Sequence, residues 1–345
     1  MNNVFGIETS CDETAAAVAA DAVTIKSSVI DSQAAKHAPY GGVVPEIAAR
    51  NHITALPRVI RQAREQSGIA WESIQAVAVT YGPGLATSLL TGIAAAKGLA
   101  LRLRVPLIGI NHLEAHLYSV FLAPEAPSWQ SCMPFAALIV SGGHTCLLRV
   151  DAPGCYQSLG ATLDDAAGEA FDKGAQLLGL GYPGGPIIDH TARAGRADAI
   201  RFPRGRIRGS TRLDFSFSGL KTALRYHLEK RPEPPAAAAV ADIAAGYQEA
   251  IVDVLVARAL QAVKMIKTDT LAVAGGVSLN SRLRERLREA ADRDGLRLLL
   301  AQPACCGDNA AMIAALAAAG RGHTSARPWD LDARPDLNIG LNLPD

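Results

Sequence analysis

Asn111-His112-Leu113-Glu114-Ala115-His116 sets two imidazoles four positions apart. On a helix that spacing puts both rings on one face, close enough to share a metal ion. The alternative is a pair of surface histidines with no common task. A zinc-peptidase helix would carry its glutamate directly after the first histidine. Glu114 comes two positions after His112, roughly 200° around the helix, so it cannot act as a base beside that ion. Asp308, in Cys305-Cys306-Gly307-Asp308-Asn309, opens a predicted helix. It either offers a carboxylate as third ligand or serves as a helix N-cap.

A second chemistry is phosphate handling. Ser141-Gly142-Gly143-His144 follows an apolar run, Gly275-Gly276-Val277-Ser278-Leu279-Asn280 joins a strand pattern to a helix pattern, and Tyr182-Pro183-Gly184-Gly185-Pro186 is a third such turn. Glycines let main-chain N–H groups approach an anion, and a following helix N-terminus adds positive partial charge. Each turn alone reads as ordinary turn chemistry. Together, and with Gly82-Pro83-Gly84, they point to a nucleotide-shaped ligand. None fits the dinucleotide or P-loop pattern. Asp165, Glu169 and Asp172 recur at helical spacing and form either a solvated face or an edge for ribose hydroxyls. Arg201, Arg204, Arg206, Arg208 and Arg212 lie in a Gly/Pro-interrupted loop that suits RNA phosphates. Arg282, Arg284, Arg286 and Arg288 alternate with Glu285 and Glu289 and read as a charge-balanced solvated face.

The elements that must position these residues are those of an α/β protein. Two strand–turn–strand units, Val4–Glu8 with Thr14–Ala19 and Phe135–Val140 with Thr145–Val150, imply two related domains. Helices are expected over 46–66 (kinked or split at Pro57), 85–103, 112–121, 164–178, 217–229, 236–266, 279–292 and 309–319. Strands are expected over 74–80, 107–110 and 270–274. Proline-rich 123–134 is the expected linker, and the tail beyond Gly320 is expected to wrap the surface. The chain has 345 residues, 19% of them charged, and a net charge of +1, so any RNA must be held by a local patch. The six cysteines form no CxxC pair, which fits reduced thiols in the cytoplasm. The N-terminal segment carries no targeting pattern, and no apolar run reaches the ~20 residues of a bilayer span.

GIETSCDET (6–14), YGGVVPEIAAR (40–50), GPGL (82–85), NHLEAH (111–116), SGGHT (141–145), DDAAGEAFDK (164–173), YPGGP (182–186), DFSFSGLKT (214–222), AGGVSLN (274–280) and DNAAMIA (308–314) stand in that order along residues 4–319. The set resembles the bacterial tRNA threonylcarbamoyladenosine transferases, the TsaD family, once known as glycoproteases. The resemblance implies a two-lobed ASKHA (actin/hexokinase/Hsp70-like) fold with a central cleft. One lobe would be 1–122 with 308–345, carrying the metal ligands, and the other 134–307, carrying most nucleotide-binding turns. It implies transfer of threonylcarbamoyl from threonylcarbamoyl-AMP to the exocyclic amine of the adenosine 3′ of the anticodon in tRNA. It implies one divalent ion per subunit, iron or alternatively zinc, on His112, His116 and Asp308. Substrate contacts map onto Ile139, Val140, Ser141, Gly142, Gly143, Asp172, Gly185, Asp189 and Asn280. The partners implied are a smaller ASKHA-like subunit of the TsaB type and a P-loop ATPase of the TsaE type, with no membrane. Asn111, Ala115 and Gly307 depart from the commonest pattern (His, Gly and Thr), and none removes a ligand.

An adenine amine is a weak nucleophile, so the carbonyl it attacks must be activated. A two-His, one-carboxylate ion with open positions can do that as a Lewis acid. Asp12 and Glu13, just past the first strand, are placed to position or deprotonate the amine. Two rivals stand beside this reading. An ASKHA phosphotransferase would not need the histidine pair, and a non-catalytic scaffold would not need to keep it.

Overall fold

The computed structural model describes residues 2–123, 125–205, 212–230, 235–324 and 327–339. The chain divides into two compact units, residues 1–129 with 301–345, and residues 130–300. Each is built on a five-stranded sheet.

In the first unit β1 (Val4–Glu8), β2 (Glu13–Ala19), β3 (Ile25–Ser32), β4 (Ala76–Gly82) and β5 (Leu107–Asn111) lie in the order β3-β2-β1-β4-β5. β1 is antiparallel to β2 and parallel to β4, which runs parallel to β5. In the second unit β6 (Phe135–Val140), β7 (Thr145–Ala152), β8 (Cys155–Ala161), β9 (Thr270–Ala274) and β10 (Arg297–Leu300) take the order β10-β9-β6-β7-β8. Here too a hairpin, β6–β7, is extended by a parallel strand beside its first member. The two units therefore repeat one strand order, three antiparallel strands followed by two parallel ones.

The central strands are continuous apolar runs such as AVAVTYG in β4, buried along their whole length, as expected for strands covered on both faces. Their residues Phe5, Ile7, Val18, Val77 and Val79 pack with Leu89 and Ile93 in the first core. Leu138, Val140, Phe171, Phe215, Tyr247 and Val273 make the second. The helix Pro45–Ser67 runs unbroken through Pro57, which sits on its exposed side. The helix is therefore not split there.

Two features of the first unit set the site. Helix Ala310–Ala318 returns from the far end of the chain to pack on β1 and β2, so closely that a Cβ at Gly6 would lie 2.6 Å from the Ala310 carbonyl oxygen. The segment beyond Gly320 is not only a surface wrap. His323 pairs with Gly109 in both directions at 2.8 Å, Arg334 N–H donates to Tyr81 O, and Leu331 and Leu337 enter the core.

Candidate metal centre and nucleotide turns

β5 ends at Asn111, whose side-chain oxygen accepts from the N–H groups of Leu113 (2.9 Å) and Glu114 (3.2 Å). This cap starts the helix His112–Tyr118 and turns His112 and His116 to one side, as the four-residue spacing requires. The two rings lie with centroids 4.6 Å apart and planes at 84°. Both are buried rather than on the surface. Glu114 points elsewhere, pairing with Arg321 at 3.5 Å.

Asp308 reaches the same spot from the loop before helix Ala310–Ala318. Its role as N-cap is taken by Asn309, whose Oδ1 accepts from Met312 N–H. Asp308 Oδ1 instead lies 3.1 Å from His116 Nε2 and 3.5 Å from His112 Nε2. One ligand atom from each of the three residues lies within 4.8 Å of the others. Two imidazole nitrogens and a carboxylate oxygen converging in this way suit iron or zinc.

The electrostatics are those of a charged cluster held away from water. Burial alone would lower the pKa of His112, but the carboxylates of Asp308 and Glu8 outweigh it and push it up to about 9. Burial and the neighbouring charge of His112 push His116 down. Glu8, fully buried, would be raised by desolvation, yet His112 holds it below the ordinary carboxylate value. A metal ion held by His112, His116 and Asp308 would have to displace a proton from His112 Nε2.

Asp12 and Glu13 follow the turn after β1. Burial raises both carboxyls, Glu13 to about 7. Glu13 Oε1 accepts from Ser32 Oγ at 2.8 Å, while its Oε2 is buried with no hydrogen-bond partner among the described residues. The Cys11 thiol between them and β1 is pushed well up by burial and by Asp12 and Asp308, which makes it a poor nucleophile. Buried His52 holds this turn, its Nε2 2.9 Å from Cys11 O and its Nδ1 2.8 Å from Thr14 Oγ1.

In the second unit the residues expected to meet substrate form one linked series. The Ser141 and Gly142 carbonyls accept from Gly168 and Glu169 N–H, so the turn after β6 rests on the N-terminus of helix Ala167–Leu177. Asp172, on that helix, accepts from Gly184 N–H at 2.7 Å and so caps the next helix, Gly184–Ala192. Asp189, on the latter, accepts from Ser281 N–H and Oγ–H, beside Asn280. Asn280 caps helix Ser281–Asp294 through Leu283 N–H and donates to Gln248 Oε1. A Cβ at Gly142, Gly143, Gly185 or Gly276 would meet no protein atom within 4 Å. These four glycines border open space, as a ligand cradle requires. Ile139 and Val140 are wholly buried, so only their main chain can reach a ligand.

Several expectations are corrected. The helix expected from Asp164 begins at Ala167, because the Asp164 carboxylate is occupied in accepting from Phe217 and Ser218 N–H and from the hydroxyls of Ser216 and Ser218. Asp165 therefore precedes the helix rather than sharing its face, and Lys173 pairs with both Asp165 and Glu169. The 182–186 turn is the start of a helix. In the basic loop, Arg204 pairs with Asp253 and Arg212 with Asp214. Arg206 and Arg208 lie outside the described residues. Arg282 and Arg286 do pair with acids, but with Glu249 of the long helix Ala237–Ile266 as well as with their own helix.

The family model for the tRNA N6-adenosine threonylcarbamoyltransferases, TsaD, matches residues 24–315. The chain belongs to that family. A Geobacter sp. (strain M21) member is 51% identical over 334 residues, covering 96% of this chain and 95% of its own. One from Anaeromyxobacter dehalogenans is 49% identical over 341 residues, covering 98% of each. Among solved structures, component A of the Acidaminococcus fermentans (R)-2-hydroxyglutaryl-CoA dehydratase superposes with a TM-score of 0.55 at 15% identity, over 93% of this chain and 99% of that one. HypF from T. kodakarensis gives 0.58 at 13% identity, over 92% of this chain and 47% of that one. At such identities these two establish the fold alone, the α/β fold of the ASKHA class. Among the described residues no helix is long and apolar enough to cross a membrane.

Proposed function

We propose that this chain transfers the threonylcarbamoyl group of threonylcarbamoyl-AMP to the exocyclic amine of the adenosine 3′ of the anticodon, in tRNAs reading codons that start with A. The amine nitrogen bonds to the carbamoyl carbon, the bond from that carbon to the phosphate oxygen breaks, and AMP leaves with the electron pair. The observation that carries the reading is the buried convergence of His112, His116 and Asp308 in a chain of this family. A divalent ion held there, iron or zinc, supplies Lewis-acid polarisation of the acyl oxygen.

The remaining roles fall to the chain's own residues. Glu13, with a carboxyl titrating at about 7 and a buried oxygen without a partner among the described residues, is assigned to take the amine proton, and Asp12 to orient the amine. The open glycines at 142, 143 and 185 support adenylate binding through main-chain N–H groups. Ser141, Asp172, Asp189 and Asn280 hold those turns in place, each with at least one polar atom committed to the fold. Ile139 and Val140 contribute main chain only.

With a net charge of only +1, the chain by itself is expected to hold tRNA weakly and with strong salt dependence. The assigned helpers are a smaller ASKHA-like subunit and a P-loop ATPase, in the cytoplasm. What supports a partner subunit is an apolar groove of about 480 Å³ between helices Pro45–Ser67 and Ala86–Leu103, lined by Ile53, Leu56, Pro57, Ile60 and Leu90. Ile53 and Leu90 are 63% and 47% exposed, which is costly unless covered.

The test is metal content measured together with transfer in His112→Ala and Asp308→Ala. Loss of both is expected. Full metal content in both variants refutes the assignment.

A further inference from the structure

We infer that Glu8 is the positioning residue for His112, fixing which ring nitrogen of that histidine is presented to a metal ion. The inference rests on the metal reading above and extends it to a residue outside the three ligands.

Glu8 closes β1 and is completely buried. Three donors converge on its carboxylate. Ser10 N–H donates to Oε1 at 2.5 Å, Thr80 Oγ–H donates to Oε2 at 2.5 Å, and His112 Nδ1 lies 3.0 Å from Oε2. An ionised carboxylate only accepts, so His112 Nδ1 must carry a proton. That leaves Nε2 facing Asp308 Oδ1, on the side where His116 Nε2 also points. The carboxylate–histidine pair therefore keeps the Nδ1 proton and fixes the ring plane before any ion arrives, leaving Nε2 as the nitrogen to give up its proton to an ion, the usual task of an acid behind a metal-ligating histidine. Ser10 Oγ, 3.2 Å from the same Nδ1, adds a second polar contact to that edge of the ring.

The other histidine lacks such support. His116 Nδ1 is buried with no partner among the described residues. Orientation of the pair thus depends on one side, the chain from Thr80 through Glu8 to His112. The same carboxylate ties down Ser10 N–H, so the turn carrying Asp12 and the ring of His112 share a single anchor. A purely structural ion pair would not need this donor set. Replacing one buried pair by packed apolar groups is often neutral for stability, so stability alone does not account for an acid here.

Glu8→Gln keeps the shape but replaces one acceptor oxygen by an NH2 group. Whichever way the amide turns, a donor meets a donor, at Ser10 N–H or at His112 Nδ1–H. The experiment measures zinc affinity of the full-length chain by chelator competition, beside Glu114→Gln, whose carboxylate faces Arg321. Glu8→Gln is expected to bind zinc about 10- to 100-fold more weakly, and Glu114→Gln is expected to match the unsubstituted chain. Because Glu8→Gln risks misfolding, nitrogen NMR of the histidines in the unsubstituted zinc-loaded chain gives a second readout. It should show His112 protonated at Nδ1 and coordinated through Nε2. A His112 proton on Nε2, or a folded Glu8→Gln with undiminished zinc affinity, overturns the inference while leaving the metal reading intact. Undiminished zinc affinity in His112→Ala overturns both.

Discussion

Glu13→Gln should make the protein more stable than its parent at alkaline pH and less active above about pH 7. The folded carboxyl titrates at about 7 against an ordinary value of 4.5, because burial and the negative charges of Asp12, Asp308 and Asp31 outweigh the hydrogen bond from Ser32. The folded state therefore binds this proton more tightly than the unfolded state. The associated stability is fully present below pH 4.5 and is lost as pH rises through 7. A shift of that size in a wholly enclosed group corresponds to about 3 kcal/mol, and since Glu13 is only half-buried, solvent screening reduces it to about 1–2 kcal/mol. Glutamine has no proton to lose. Urea unfolding of both proteins between about pH 5 and 8.5 should show the parent losing about 1–2 kcal/mol relative to Glu13→Gln across that interval. In a transfer assay the parent's rate should climb through pH 7 as the base forms, and the variant should lack that rise. A stability difference that is flat with pH, or that moves in the parent's favour, refutes the burial argument. A variant that keeps the parent's pH–rate profile refutes the role as base.

Further outcomes follow from the same geometry. Gly142→Ala should leave stability unchanged, since its Cβ meets open space, yet weaken adenylate binding in calorimetry. Gly184→Ala, whose Cβ would lie 2.6 Å from Asp172 Cα, should cost about 1–3 kcal/mol in thermal unfolding. Ile53→Asp with Leu90→Asp should abolish association with the smaller ASKHA-like subunit in gel filtration without changing bound metal. Chelation should weaken a stable threonylcarbamoyl-AMP analogue more than AMP, and equal loss for the two would mean that the ion does not touch the acyl arm.

The parts of this molecule that are legible in its sequence are those set by short-range periodicity. Apolar runs bounded by small residues mark β1, β2, β6 and β7, and the four-residue interval marks His112 and His116 as partners. β3 and β8 escape because sequences such as IKSSVIDS expose one face and carry no apolar run, while β10 is only four residues long. Charge patterns mislead wherever the partner is distant in sequence. Arg204 looks free for RNA along the chain, yet Asp253, 49 residues away, lies beside it in the fold. Glu8 stands in the sequence as one acid among several. The signal that singles it out is its place at the end of a fully buried strand, where an unpaired acid is too costly to keep.

Asp308 shows where the boundary lies. Two neighbouring residues, Asp308 and Asn309, are equally able to cap the following helix, and the sequence offers no means of dividing the work. The division is made by the docking of helix Ala310–Ala318 on β1, where Gly6 allows backbone contact and holds the loop before the helix against the histidines. In that position Asn309 faces Met312 N–H and Asp308 faces the two imidazoles, 192 residues from His116 along the chain. An amide at 308 would lack the charge that balances His112, and an aspartate at 309 would add an unbalanced acid to a fully buried position. The choice of acid at 308 and amide at 309 thus follows from tertiary electrostatics rather than from helix capping, which either residue could have performed.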